Sequence, residues 1–260
     1  MRKHETDFTQ GKIAGPLVRF AIPVLLALFL QAMYGAVDLL IVGKFAKTID
    51  VSAVATGSHV MHSITFVIAS FAMGLTVLLG QMIGEGKKQQ AGEVMGAAIP
   101  LFTVIGVVIS ALVAVFAEPL SELLRAPEKA LAATTDYVRI CGIGFIVIIA
   151  YNLIGSIFRG IGDSNTPLIA VAIACVLNIL GDLLLVAVFG LGAAGAAIAT
   201  VFSELVSVLV SLVLIKRRKL PFDFNLKMIR FRKDVNLSIT KLGIPLALQE
   251  FLVSASFLVI

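Results

Sequence analysis

Val176-Leu-Asn178-Ile-Leu-Gly-Asp182-Leu-Leu-Leu185 sets an amide and a carboxylate four residues apart inside an apolar run. Four residues is about one helical turn, so a helix turns both side chains to one face. The surrounding run, Pro167 to Phe189, is long enough to cross a bilayer, which takes about 20 apolar residues. A carboxylate at that depth costs roughly 2.5–3.5 kcal/mol, so it calls for a partner, a proton or a water-filled cavity. Asp38 lies in a comparable run, with no counter-charge close to it in sequence. The two acids are candidates for one shared site.

Working outward, the rest of the chain has the same character. It is 59% hydrophobic and 14% charged, with a mean hydropathy of +1.03, outside the range of soluble globular domains. Apolar runs of spanning length recur at Pro16–Gly43, Val51–Gly84, Val94–Ala117, Leu131–Phe158, Pro167–Phe189 and Ala193–Ile215, and another starts near Ile239. Strands of a membrane barrel would be about 10 residues of strict alternation, a pattern these runs lack. The expected fold is an all-α polytopic membrane protein: a six-helix transmembrane bundle and the beginning of a seventh helix. The expected division is a cytoplasmic N-terminal segment over 1–15, a six-helix lobe over 16–215, a basic cytoplasmic linker over 216–238, and over 239–260 the truncated first helix of a second lobe.

The net charge of +5 does not point to nucleic acid, because the basic residues sit in the loops between spans. Cys141 and Cys175 lie inside apolar runs without CxxC spacing and read as reduced packing residues. The polar N-terminus leads into a full-length span without a small-residue cleavage site, the pattern of a retained signal anchor. Positive residues give the orientation. Arg2, Lys3, Lys12 and Arg19 precede the first span, Lys87 and Lys88 follow the second, and Arg159 follows the fourth. The groups Lys216 to Lys219 and Lys227 to Lys233 follow the sixth. With six crossings all four segments share one side, the cytoplasm, and the opposite loops are acidic or nearly neutral apart from Lys44 and Lys47. Pro23 lies within the first span, where it removes a backbone hydrogen bond and favours a kink, either as a hinge or as a packing feature.

An internal repeat is also visible. Arg19-Phe-Ala-Ile-Pro23 through Phe29-Leu30 aligns with Lys241-Leu-Gly-Ile-Pro245 through Phe251-Leu252 at a single offset of 222. Six spans separate the copies, so both enter the membrane from the same side, as in transporters built from parallel repeats. This predicts a parent protein of near twice that length.

Orientation then permits a depth argument. Counting turns from the outer ends of their spans, Asp38, Asp182, Thr200 and Tyr137 fall at a similar level in the outer half of the membrane. Gln31, Tyr34 and Asp38 form one polar stripe on the first span. Two carboxylates in one low-dielectric site cannot both ionise cheaply, so the pair is expected to hold a proton near neutrality and release it on a conformational change. With the oxygens of Asn178 and Thr200 added, the same set suits a small hard cation. Proton and sodium both remain open.

At this point the residues carry a resemblance. Pro23, Asp38 and Gly43, then Arg159-Gly-Ile-Gly-Asp163-Ser-Asn-Thr-Pro167, then Asn178-Ile-Leu-Gly-Asp182, then Gly192-Ala-Ala-Gly-Ala-Ala-Ile-Ala-Thr200 resemble the MATE (multidrug and toxic compound extrusion) family, in order and spacing along the whole chain. The acidic pair resembles the DinF-like branch. The resemblance implies one lobe of a two-lobe, twelve-helix fold and cation-driven export of small amphiphilic or cationic compounds by alternating access. No cofactor is implied beyond H+ or Na+ as the coupling ion. It further implies a coupling site at Asp38, Asn178, Asp182 and Thr200, lobe-lining groups at Tyr34, Tyr137 and Asn152, and a hinge at Pro23. Gln31 and Asn152 are candidate substrate-cavity residues. A multi-pass protein of the cell (inner) membrane is implied, acting as a monomer among membrane lipids. Glu250 lies too close to Pro245 to match the acid that the NorM branch carries in its seventh span.

Weaker candidates are Glu204, one turn after Thr200, and the pair His59 and His62, which read as packing or hydrogen-bonded residues. Gly160-x-Gly162 lacks the Gly-Lys-Ser/Thr of a phosphate loop. No nucleophile–base set or metal-ligand cluster emerges, so catalysis is not expected. The rival readings are a MOP-type flippase for a lipid-linked precursor and a channel. A flippase calls for clustered cationic side chains inside the spans, and a channel calls for no pair of titratable acids.

Overall fold

The computed structural model describes residues 14–217, 220–222 and 224–259. The expected segment up to residue 13, with Arg2, Lys3 and Lys12, lies outside the described residues, as do Arg218 and Lys219. Among the described residues the elements are helices joined by short turns, which is what a bilayer demands of a backbone that must satisfy its own hydrogen bonds. They are α1 (Ala14–Phe45), α2 (Thr48–Gly84), α3 (Lys88–Val115), the short α4 (Ala117–Leu123), α5 (Leu131–Ile143), α6 (Phe145–Gly160), α7 (Asn165–Asp182), α8 (Gly192–Arg217) and α9 (Lys233–Val259). Six of them are long and apolar enough to cross a membrane, and counting the bent pair α5 and α6 as one span brings the number to seven.

Two features depart from the sequence expectation. The fourth run is not one straight helix: it breaks at Gly144, and the two halves meet at 51°. At the break α8 approaches so closely that a Cβ on Gly144 would collide with Val201. The seventh helix begins at Lys233 rather than near Ile239, which shortens the expected linker. Its first turn is polar and is held by Arg232, which pairs with Glu93 of α3 at 2.5 Å and with Asp234 at 3.6 Å. The linker also contains a 3-10 turn, Leu226–Met228, with the Asn225 side chain accepting from Lys227 N at 3.2 Å.

Helix α2 is the centre of the bundle, touching α1, α3, α5, α6 and α9, while α7 packs between α1 and α8. Phe102, Phe145, Phe158, Leu75, Leu79 and Ile149 are fully buried between these helices. The outward faces carry Leu25, Phe29, Val104, Val107, Val176 and Leu180 in the open, as suits a surface solvated by lipid. Helices are stitched by hydroxyl-to-carbonyl bonds, a device that apolar surroundings favour. Thr76 Oγ1 donates to Ser156 O at 3.0 Å, Ser110 Oγ to Gly142 O at 2.6 Å, and Ser207 Oγ to Ala170 O. At one end of the bundle Asp50 Oδ1 accepts from Ala193 N at 3.1 Å and ties α2 to the start of α8. At the other end α2 and α9 meet backbone to backbone: a Cβ at Gly74 would sit 2.6 Å from Gly243 N. Helix α1 runs unbroken through Pro23, which is buried.

Candidate functional site

Three helices bring the acidic constellation together. Helix α1 contributes Asp38, which is 4% exposed, and α7 contributes Asn178 and Asp182, both fully buried. Helix α8 contributes Thr200, whose Oγ1 accepts from Asn178 Nδ2 at 3.4 Å. The Asp38 and Asp182 carboxyls are near enough to interact directly, and Tyr34 lies beside Thr200, Asp38 and Glu204. Asp182 is the last α-helical residue of its span. From Leu183 to Val188 the chain winds as a wide π turn, a feature that recurs at functional sites.

The polar atoms of this cluster have an unusual balance. Tyr34 Oη, Asp38 Oδ1, Asn178 Oδ1, both Asp182 carboxyl oxygens and Glu204 Oε2 are buried without a hydrogen-bond partner. A buried acceptor left unpaired costs about 1–3 kcal/mol, more when charged. Six oxygens gathered in this way form a region short of positive charge, whose natural occupants are protons or a small cation.

A cavity of about 520 Å³ adjoins the cluster. Tyr34, Asp38, Tyr137 and Thr200 line it; Asp182, expected at the same depth as the last three, and Asn178 do not. Tyr137 reaches the cavity by lying across Gly57 of α2, where any side chain would meet its ring. Gln31 lines this cavity and also a second, smaller one of about 280 Å³, which holds Asn152. Asn152 is thus separated from the acids: its Nδ2 donates to Ile148 O at 2.8 Å on its own helix, and it joins Gln31 rather than Tyr34 and Tyr137.

The cavity has further lining residues. Glu204, one turn beyond Thr200, turns to the cavity, and the i, i+4 spacing was its only signal. His59 and His62 of α2 and Glu250 of α9 also line it, with the His62 ring stacked on Phe66 at 6.2 Å between centroids. Cys141 is a further lining residue, a buried free thiol; the other, Cys175, contacts Leu30 O at 3.6 Å. Asp163 serves the fold. Its carboxylate caps α7, accepting from Asn165 N and Thr166 N at 3.0 Å each and from Thr166 Oγ1 at 2.5 Å.

A bundle of apolar helices around buried acids and a largely apolar cavity with a few acidic and polar groups defines a multi-pass membrane protein of the transporter class. Comparison with known proteins agrees. The MatE family model matches residues 23–184, and the chain belongs to that family. Over 98% of its length it is 31% identical to the probable multidrug resistance protein YpnP of Bacillus subtilis (strain 168), of which it covers 57%. It is 25% identical to the multidrug export protein MepA of Staphylococcus saprophyticus, covering 56% of that protein with 97% of its own residues. Among solved structures, a MOP superfamily transporter from Pyrococcus furiosus matches with a TM-score of 0.87 and 25% identity, over 96% of this chain and 55% of that one. A multidrug resistance MATE family transporter in an outward-facing conformation matches with a TM-score of 0.81 and 25% identity, over 90% of this chain and 52% of that one. The chain therefore spans a little over half the length of the relatives it matches.

Proposed function

We propose that this chain is the N-terminal lobe and first second-lobe helix of a secondary transporter that exports small amphiphilic or cationic organic compounds. Export is driven by inward movement of H+ or Na+ and proceeds by alternating access. The observation that carries this reading is the set of unpartnered oxygens on α1, α7 and α8 beside a cavity large enough for a small organic molecule.

In this mechanism Asp38, Asn178, Asp182 and Thr200 take up the coupling ion, with Tyr34 and Tyr137 around them. An empty site holds unpaired carboxylate charge, which a cationic substrate or the coupling ion neutralises, but not both at once. That exclusion is the physical basis of exchange. Pro23 gives α1 a point of weakness at which ion uptake can bend it. The charged groups lining the larger cavity are Asp38, Glu204 and Glu250, with His59 and His62 and no Lys or Arg. Such walls favour organic cations and disfavour the pyrophosphate of a lipid-linked precursor. The protein works in the cell (inner) membrane with its N-terminus in the cytoplasm.

The test is efflux of a fluorescent cationic dye from proteoliposomes holding the full-length protein, under an imposed pH or sodium gradient. Wild type should follow one gradient, and Asp182→Asn should lose that dependence. Undiminished gradient-driven efflux by Asp182→Asn would remove the acidic pair from the mechanism.

A further inference from the structure

The smaller cavity differs in character from the acid-lined one. It is bounded by α1, α2, α6, α7 and α8 in the half of the lobe nearer the α6–α7 turn. Its one formally charged lining residue is Arg159, in the last turn of α6. An arginine at such a position ordinarily extends to the headgroup region, where the helix C-terminus and the interface both favour it. Here the guanidinium instead folds back along its own helix over Gly155, where an added Cβ would lie 3.2 Å from Nη1. Nη2 donates to Ser156 Oγ at 3.0 Å.

Among the described residues no carboxylate lies within ion-pair distance of Arg159. The neighbouring acid in sequence, Asp163, is engaged at the cap of α7. A guanidinium has five N–H donors in a planar fork suited to carboxylate or phosphate, and the bond to Ser156 leaves most of that fork without a partner among the described residues. Tyr151, Ser164 and Ser211 add polar groups around it, while Val24, Ala27 and Met73 supply apolar wall. A half-buried cation with no counter-charge is costly unless an anion arrives to complete it.

We propose that this cavity binds one anionic group, a carboxylate or phosphate, carried on an apolar chain, with the Arg159 fork as its anchor. Leu28, Gln31, Thr65 and Phe66 line both cavities, so the apolar chain has a path toward the larger space. The site does not depend on the ion-coupling reading: Asp182→Asn should leave it intact.

The experiment titrates the purified full-length protein in a neutral detergent with dodecyl phosphate, dodecanol and inorganic phosphate, following heat of binding. Dodecyl phosphate should saturate one site, bind at least tenfold more tightly than either other probe, and lose at least tenfold in affinity in Arg159→Gln. Arg159→Lys keeps the charge and the helix-end interaction but lacks the fork, and it should lose several-fold. Protein in nanodiscs tells the sources apart. Competition by phosphatidylglycerol assigns the site to a lipid headgroup, and its absence assigns it to a soluble amphiphile; both support an anion site. Affinity within twofold of wild type in Arg159→Gln overturns the proposal, as does dodecanol binding as tightly as dodecyl phosphate. If Arg159→Gln does not fold, an unchanged affinity in Arg159→Lys overturns it equally.

Discussion

Asp182 is the residue whose surroundings fit the fold least well and the proposed chemistry best. Its oxygens have no donor beyond the neighbouring Asp38 carboxyl, so ionising the pair is a cost to the empty protein. Asp182→Asn should therefore raise the midpoint of thermal unfolding by a few degrees in ion-free detergent solution while abolishing coupled transport. A lowered midpoint would mean the carboxylate is a structural partner. Tyr34 makes a parallel case. Its hydroxyl makes no well-formed hydrogen bond, although Thr200 and Ser203 lie beside it, so Tyr34→Phe should cost at most about 1 kcal/mol of stability and should still weaken ion-driven efflux several-fold. Equal efflux by Tyr34→Phe and wild type would exclude the hydroxyl from the ion site. Which acids meet was partly legible in the sequence, because topology fixes depth and depth aligns Asp38 with Asp182 and Thr200. Rotation about each helix axis was not, so neither the turn of Glu204 toward the larger cavity nor the place of Asn152 in the smaller one follows from spacing.

At the scale of elements, apolar run length gave the spans, because lipid leaves the backbone few alternatives to a helix. What run length cannot encode is a change of winding within an apolar stretch. Neither the break at Gly144 nor the wide turn after Asp182 alters hydropathy, so neither shows in run length. The early start of α9 escaped for the opposite reason: Lys233 to Ser238 is polar, and an ion pair to α3 holds it helical. The α2–α9 contact yields a prediction at this scale. Gly74→Leu forces a side chain into the backbone of Gly243, an overpacking worth about 1–3 kcal/mol. The full-length variant should unfold several degrees below wild type in neutral detergent. An unchanged midpoint would show that the two helices do not meet in the intact protein.

At the scale of the whole molecule, the ends of the bundle differ in charge, and that difference sets how the lobe lies in its membrane. Lys88→Cys should react with a membrane-impermeant thiol reagent in inside-out vesicles alone, and Leu191→Cys in right-side-out vesicles alone. The reverse pattern would invert the topology. The coupling ion should also stabilise the whole protein by mass action, by about 2.7 kcal/mol at a hundredfold excess over its dissociation constant. A sodium-dependent rise in unfolding midpoint that vanishes in Asp182→Asn identifies sodium. No response to sodium, with a rise on acidification that the same variant abolishes, identifies the proton.

The seam at Gly74 and Gly243 has a consequence for wear. In the proposed alternating-access cycle this contact would part and re-form at each turnover. A seam of interdigitated side chains would need each of them to find its rotamer again at every closure, losing its freedom each time. At Gly74 and Gly243 backbone lies on backbone with the Phe71 ring beside it, so few rotamers have to be found again. Such a joint closes in one way and opens without unlocking anything, as a hinge plate does and a zipper does not.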